Sequence, residues 1–176
     1  MKKSEIRVLV LSAIFLSLGI VLPLLTGQLK EIGDTLLPMH IPVLLCGLIC
    51  NKKYGFLIGI TMPFLRSAIF GMPPIYPNAV WMALELATYG FVVGLMYSNF
   101  KSKNIFSIYI SLATAMICGR IVWGISKLIL YGISGKIFSF SMFLAGAFID
   151  ALPGIILQFL LIPLIIQILE KRRRIK

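Results

Sequence analysis

The chain alternates between long apolar runs and short polar junctions. A helix of about 20 apolar residues crosses the hydrocarbon core of a bilayer, which is about 30 Å thick. The apolar runs cover residues 7–25, 36–50, 54–70, 78–97, 105–131 and 138–169. This pattern predicts an all-α integral membrane protein with six transmembrane helices, and we expect a single transmembrane domain over residues 1–176.

Prolines interrupt this pattern at defined places. Near the outer end of the second run and in the loop before the fourth, they remove backbone donors, so we expect irregular structure there. The sixth run should be interrupted twice within its length. The prolines concerned are Pro38, Pro42, Pro73, Pro74, Pro77, Pro153 and Pro163.

The basic residues predict the orientation. Most of the Lys and Arg residues lie in clusters at 2–7, 52–53, 101–103 and 171–176, which are alternate ends of the apolar runs. Cytoplasmic junctions carry such an excess, so both termini should face the cytoplasm and the junction at 26–35 should face outward. The first run is too long for the apolar part of a signal peptide and no small-residue cleavage site follows it, so we interpret it as the first span.

Composition excludes a water-soluble fold. The chain is 59% hydrophobic and 13% charged, with a mean hydropathy of +0.99, whereas soluble domains are about 45–50% apolar and about 25% charged. The net charge of +11 does not indicate nucleic acid, because the basic clusters fit membrane orientation. The three cysteines lie in apolar runs without metal-ligand spacing, so we expect neither a disulfide nor a metal site.

Polar residues inside the apolar runs are the candidates for function. Asn78, Trp81 and Glu85 recur at helical spacing and share one face of the fourth span. A carboxylate at membrane depth costs about 2.5–3.5 kcal/mol, so such a residue is a functional-site candidate. A second face of this kind lies on the fifth span, with Arg120, Trp123 and Lys127.

These residues predict a small-molecule site in a cavity open to the outside. Asp150 is predicted roughly at mid-span, and the other charged candidates are predicted in the outer half of the membrane. Arginines favour a ligand with a carboxylate or phosphate, and the tryptophans favour apolar or flat parts of it. The candidate substrate-binding residues are Glu85, Arg120, Trp81, Asn78, Trp123, Arg66, Asp150, His40, Tyr76 and Lys127.

Structural roles for the same residues remain open. The charged groups could form ion pairs that hold the helices together, and the tryptophans and tyrosines could belong to the interfacial belt. Lys127 could extend to lipid headgroups, and His40 could bond a backbone carbonyl. No phosphate-binding loop, His-Glu-x-x-His motif or Gly-x-Ser-x-Gly motif is present, so we expect neither enzyme activity nor ATP binding by this chain.

Three segments carry a resemblance to a known family. They are Gly-Asp-Thr-Leu-Leu-Pro-Met-His-Ile-Pro-Val-Leu-Leu-Cys-Gly at 33–47, Gly-Met-Pro-Pro at 71–74 and Ala-Leu-Glu-Leu-Ala-Thr-Tyr-Gly at 83–90. With the small size and six spans, they resemble the substrate-binding S components of energy-coupling factor (ECF) vitamin transporters. The resemblance covers essentially the whole chain.

The resemblance implies a substrate-capture subunit in a prokaryotic plasma membrane. Such a subunit binds a water-soluble vitamin or similar micronutrient near the outer face and works with a transmembrane coupling protein and two cytoplasmic ATPases. These partners hydrolyse ATP, and the subunit has no cofactor of its own. The family docks to the coupling protein through an Ala-x-x-x-Ala motif on the first helix. The matching positions here are Ala13 and Ser17, where serine keeps the second residue small.

Two other functions remain open at this stage. The chain could be a six-helix membrane scaffold in cell-envelope assembly, in which case no small ligand should stabilise it. It could also be a proton-coupled secondary transporter that uses Glu85 and Asp150, although no inverted repeat is visible. For a vitamin importer, compounds like folate, pantothenate, riboflavin and pyridoxine all remain open.

Overall fold

The structure, a computed structural model, describes residues 3–25 and 35–174. These ranges form helices and contain no β-strand. Two π-helical turns are present, at Ile75–Ala79 and Ala145–Ile149. The helices are α1 (Lys3–Leu25), α2 (His40–Ile49), α3 (Lys52–Phe70), α4 (Val80–Asn99), α5 (Ile105–Ile133), α6 (Phe140–Leu144) and α7 (Leu152–Arg174). The predicted all-α class is confirmed, and the predicted outer junction at 26–34 lies outside the described residues.

Four stretches are long and apolar enough to cross a membrane: Glu5–Leu24, Ile75–Asn99, Ile105–Ile133 and Phe140–Leu169. The protein is therefore a multi-pass membrane protein. Helix α3 has 19 residues but includes three charged side chains, and α2 has only ten residues, a rise of about 15 Å. The count of six spans and the cytoplasmic position of both termini stay predictions.

Helix α2 is enclosed by protein. Its residues from His40 to Leu48 are all buried, and α2 packs against α1, α3, α4 and α7. The irregular start predicted from the prolines is present: Leu37 has a φ of 51°, and Pro38 lies in a turn. Pro42 falls in the first turn of α2, where a missing backbone donor is tolerated. This start places the His40 side chain inside the bundle.

Glycines bring the backbones of α2, α3 and α4 into contact. A Cβ added to Gly47 or Gly55 would lie 2.5 Å from the carbonyl oxygen of Gly90. Gly55 and Gly59 on α3, like Gly90 and Gly94 on α4, are small-x-x-x-small pairs, which allow close helix approach in membranes. Helix α4 also packs along α5, so α4 connects both sides of the bundle.

The loop between α3 and α4 is irregular, as its prolines predict. Helix α3 ends at Gly71, whose φ of 70° is a left-handed conformation that glycine adopts without strain. The chain then passes through Pro73 and Pro74 into the π-helical turn. Helix α4 begins at Val80, two residues after the predicted start at residue 78.

The chain between α5 and α7 is more broken than predicted. The sequence predicts one helix from 138 to 169 with interruptions at Pro153 and Pro163, whereas the structure has α6, a π-helical turn, and a further turn at Asp150 and Ala151 before α7. Pro163 lies inside α7. Pro153 is the second residue of α7, so it begins this helix instead of interrupting it. Asp150 consequently lies exposed in a turn within the stretch Phe140–Leu169, and its depth in the membrane stays a prediction.

Candidate functional site

One cavity collects most of the predicted site residues. It has a volume of about 330 Å³, within the range of small-molecule sites. Nine of the ten candidates line it, whereas Tyr76 is not part of the lining and is 53% exposed. The nine are His40, Arg66, Asn78, Trp81, Glu85, Arg120, Trp123, Lys127 and Asp150. Residues from α2, α3, α4, α5 and the turn before α7 therefore face a common space.

Glu85 is the polar centre of this cavity. Its Oε1 atom lies 3.0 Å from Nη1 of Arg120 and 3.4 Å from Nε2 of His40. All three residues are buried, with 3–4% of their surface exposed. The carboxylate of α4 therefore faces a guanidinium from α5 and an imidazole from α2. The expected ion pair is present, and it forms one wall of the cavity.

The ion pair leaves hydrogen-bonding groups unused. Nε and Nη2 of Arg120 and Nδ1 of His40 are buried and have no hydrogen-bond partner among the residues that the structure describes. Buried polar groups in native proteins are nearly always satisfied. Since these atoms belong to residues that line the cavity, a bound ligand or water could satisfy them. A structural ion pair alone does not account for them.

Lys127 lies against an aromatic wall. Its Nζ atom is 4.4 Å from the ring centroid of Trp123 and 5.2 Å from that of Trp81. The rings of Tyr131 and Phe138 follow at 5.7 and 5.5 Å. A cation within about 6 Å of a ring face is attracted by the quadrupole of the ring. The ammonium group is thus held beside the cavity by four rings, whereas the snorkelling alternative places it among lipid headgroups.

Arg66 stands apart from these pairs. It lies on α3, is 7% exposed and lines the cavity together with Asn78 and the loop residues Met72, Pro73 and Pro74. Its Nε atom is buried, and among the described residues it has no hydrogen-bond partner. In the described part of the chain, no carboxylate forms an ion pair with this guanidinium.

Two aromatic residues near the site, Tyr131 and Tyr89, were not predicted from the sequence. Tyr131 lines the cavity and continues the face of Trp123 and Lys127 on α5. Tyr89 stands one helical turn after Glu85 and packs edge-on against His40, with ring centroids 5.0 Å apart. Its hydroxyl is placed to donate a hydrogen bond to the Glu85 carboxylate. The same helical spacing that selected Glu85 would have selected Tyr89 as well.

Metal-ligating side chains do not converge in the structure as described. Over residues 3–25 and 35–174, no group of three His, Cys, Asp or Glu residues is positioned to hold an ion. The chemistry of the cavity is therefore that of guanidinium, carboxylate, imidazole and aromatic groups. Such a set suits noncovalent binding of a polar organic molecule.

Comparison with known protein families identifies the family of the chain. Residues 7–166 match the family model described as ECF transporter, substrate-specific component. The chain belongs to this family. It is therefore an S component, the membrane-embedded, non-enzymatic subunit that binds a small-molecule substrate for an ECF importer. No curated protein and no solved structure matches the chain.

The family also bears on partners and on the open alternatives. An S component works with the coupling and ATPase module of its transporter, which favours this function over a scaffold or a proton-driven carrier. The predicted docking residues of this S component, Ala13 and Ser17, are exposed on α1. The Ser17 hydroxyl donates a hydrogen bond to the Ala13 carbonyl oxygen at 3.0 Å, so it presents little polarity to a partner helix.

Proposed function

We propose that this S component captures a water-soluble vitamin or related micronutrient in the cavity around Glu85. The observation that carries the proposal is that buried polar groups with unused hydrogen-bonding capacity surround one cavity of ligand size. Arg120 and His40 supply donors on one wall, while Trp81 and Trp123 supply apolar surface. In the predicted orientation the cavity would face the outside and load from the extracellular side.

Delivery would depend on partners. A transmembrane coupling protein and two cytoplasmic ATPases would bind the loaded subunit, and these ATPases would hydrolyse ATP. The subunit would use no cofactor of its own. Its place would be the plasma membrane of a prokaryote. The family supports this arrangement, and the exposed small residues on α1 offer a surface for the coupling protein.

A thermal-shift screen of the detergent-purified protein tests substrate capture. We expect one member of a panel of water-soluble vitamins and precursors to stabilise the protein by about 2.7 kcal/mol at about 100 times its Kd. Replacing Trp81 by alanine should weaken the binding of that ligand on the order of tenfold, because the cavity loses one ring of its aromatic wall. The control is Phe106→Ala, which removes a ring that is 65% exposed and outside the cavity lining. A folded protein that no compound stabilises would contradict the proposal.

Replacing Ser17 by leucine tests partner docking. We expect the variant to bind ligand like wild type but to lose co-purification with the coupling protein, because a bulky side chain prevents close helix approach. The readout is the amount of coupling protein recovered with the tagged S component. The control is Ala68→Leu, which adds the same side chain at an exposed position on α3. Equal recovery with Ser17→Leu and wild type would place the docking surface elsewhere.

A further inference from the structure

Arg66 is a buried charged residue of the cavity, and the described residues provide no counter-ion for it. The guanidinium of Arg120 is already matched by Glu85, at 3.0 Å. The Nζ atom of Lys127 lies against the aromatic wall, and Asp150 is exposed in the turn before α7. Arg66, by contrast, is buried. Within the described residues its guanidinium forms no ion pair, and its Nε atom has no hydrogen-bond partner.

Such an arrangement needs a physical reason. A buried charge without a partner is strongly unfavourable, and buried charges in proteins are normally paired or hydrogen-bonded. In a membrane-embedded bundle only the contents of the cavity, water or a ligand, can solvate such a group. Arg66 cannot lose its charge as a lysine can, since the guanidinium stays protonated. An anion that enters with the substrate would satisfy this group.

We propose that Arg66 anchors the anionic group of the substrate, so the substrate is a small acid that carries a carboxylate or a phosphate. This inference rests on the proposed function. The planar guanidinium offers a pair of parallel donors, a geometry that matches both kinds of anion. Arg66 enters from α3 and Arg120 from α5, which are different neighbours of α4. The two arginines therefore bind different parts of the ligand.

The two arginines differ in how much of their charge the protein already balances. The Glu85 carboxylate offsets the charge of Arg120, so its unused Nε and Nη2 donors suit neutral acceptors such as a carbonyl or hydroxyl oxygen of the ligand. The full charge of Arg66 remains for the anion. The aromatic wall around Lys127 then covers the apolar part of the molecule.

Matched pairs of an acid and its neutral counterpart test this assignment. The pairs are nicotinate and nicotinamide, pantothenate and pantothenol, biotin and its amide, and pyridoxal phosphate and pyridoxal. The affinity of the purified protein for each compound is measured by thermal shift and then by titration calorimetry. We expect the compound that binds to be an acid, with its neutral counterpart about 10- to 100-fold weaker. The pair that responds also distinguishes a carboxylate from a phosphate.

Variants of Arg66 identify the residue responsible. Arg66→Gln should bind the acid only as well as the neutral counterpart, and Arg66→Lys should keep part of the preference because it retains charge but not the planar fork. Arg66→Gln should also unfold in the absence of ligand at the same temperature as wild type or higher, since it removes an unpaired buried charge. A structural role predicts a lower temperature. The control is Lys101→Gln, which removes one positive charge from an exposed position outside the cavity.

The outcomes separate this inference from the proposed function. A neutral compound that binds as tightly as its acid, or an Arg66→Gln variant that keeps the preference for the acid, would overturn the role of Arg66. The proposed function would survive either result, because a ligand still binds and Trp81→Ala still weakens it. A panel without any bound compound would overturn both.

Discussion

Replacing Glu85 by glutamine is expected to destabilise the folded protein by about 3–5 kcal/mol. The carboxylate is buried and faces both Arg120 and His40, at 3.0 and 3.4 Å. Its neutralisation leaves the guanidinium buried with no carboxylate to pair with, and a buried charge that loses its partner carries most of its desolvation penalty. The measurement is the midpoint of thermal unfolding in detergent, determined from the fraction of protein that remains monodisperse.

A double variant separates the pair from the individual side chains. Glu85→Gln combined with Arg120→Gln should be more stable than Glu85→Gln alone, because the second change removes the stranded charge. Glu5→Gln, which neutralises an exposed carboxylate on α1, should change stability by less than about 0.5 kcal/mol. If the double variant were the least stable of the three, the coupling between Glu85 and Arg120 would be refuted.

The second large effect is expected at the glycine contact. Replacing Gly90 by valine should destabilise the protein by more than about 3 kcal/mol, beyond the usual range of overpacking. A Cβ at this position would collide with backbone atoms of Gly55, and backbone cannot move aside as a flexible side chain can. Helices α3 and α4 would have to separate along their length. The variant should therefore be recovered mainly as aggregate in fluorescence-detected size-exclusion chromatography.

A matched glycine provides the control for this experiment. Gly132 is also helical, on α5, and an added Cβ there would meet no atom within 4 Å. Gly132→Val should therefore leave the elution profile and thermal midpoint close to those of wild type. Equal behaviour of the two valine variants would show that close backbone approach is unimportant to this fold.

The sequence predicted which side chains would matter better than it predicted how they would meet. Helical spacing placed Trp81 and Glu85 on one face of α4, and Arg120 and Trp123 on one face of α5. Spacing along a helix does not determine which neighbour that face meets. The contact between Glu85 and Arg120 follows from the packing of α4 on α5, and the approach of His40 follows from the late start of α2.

The differences from the prediction have physical causes in local backbone structure. Asp150 was expected within one proline-interrupted helix because the apolar run around it is continuous, and nothing in hydropathy marks the turn that precedes α7. Tyr76 was included because it lies in the loop before α4. The direction of a loop side chain does not follow from periodicity, and this one is 53% exposed and outside the cavity lining. The glycine contacts were visible as a four-residue spacing on α3 and α4, and their partners required the structure.

The contact among Gly47, Gly55 and Gly90 divides the wall of the cavity into a fixed half and an adjustable half. Touching backbones leave no free volume between them, so we expect α2, α3 and α4 to move as one rigid body. His40, Arg66, Trp81 and Glu85 would keep their mutual positions within it. Any change in cavity shape on capture or release of a substrate is therefore expected in the outer part of α5 and the turns before α7, which carry Trp123, Lys127 and Asp150.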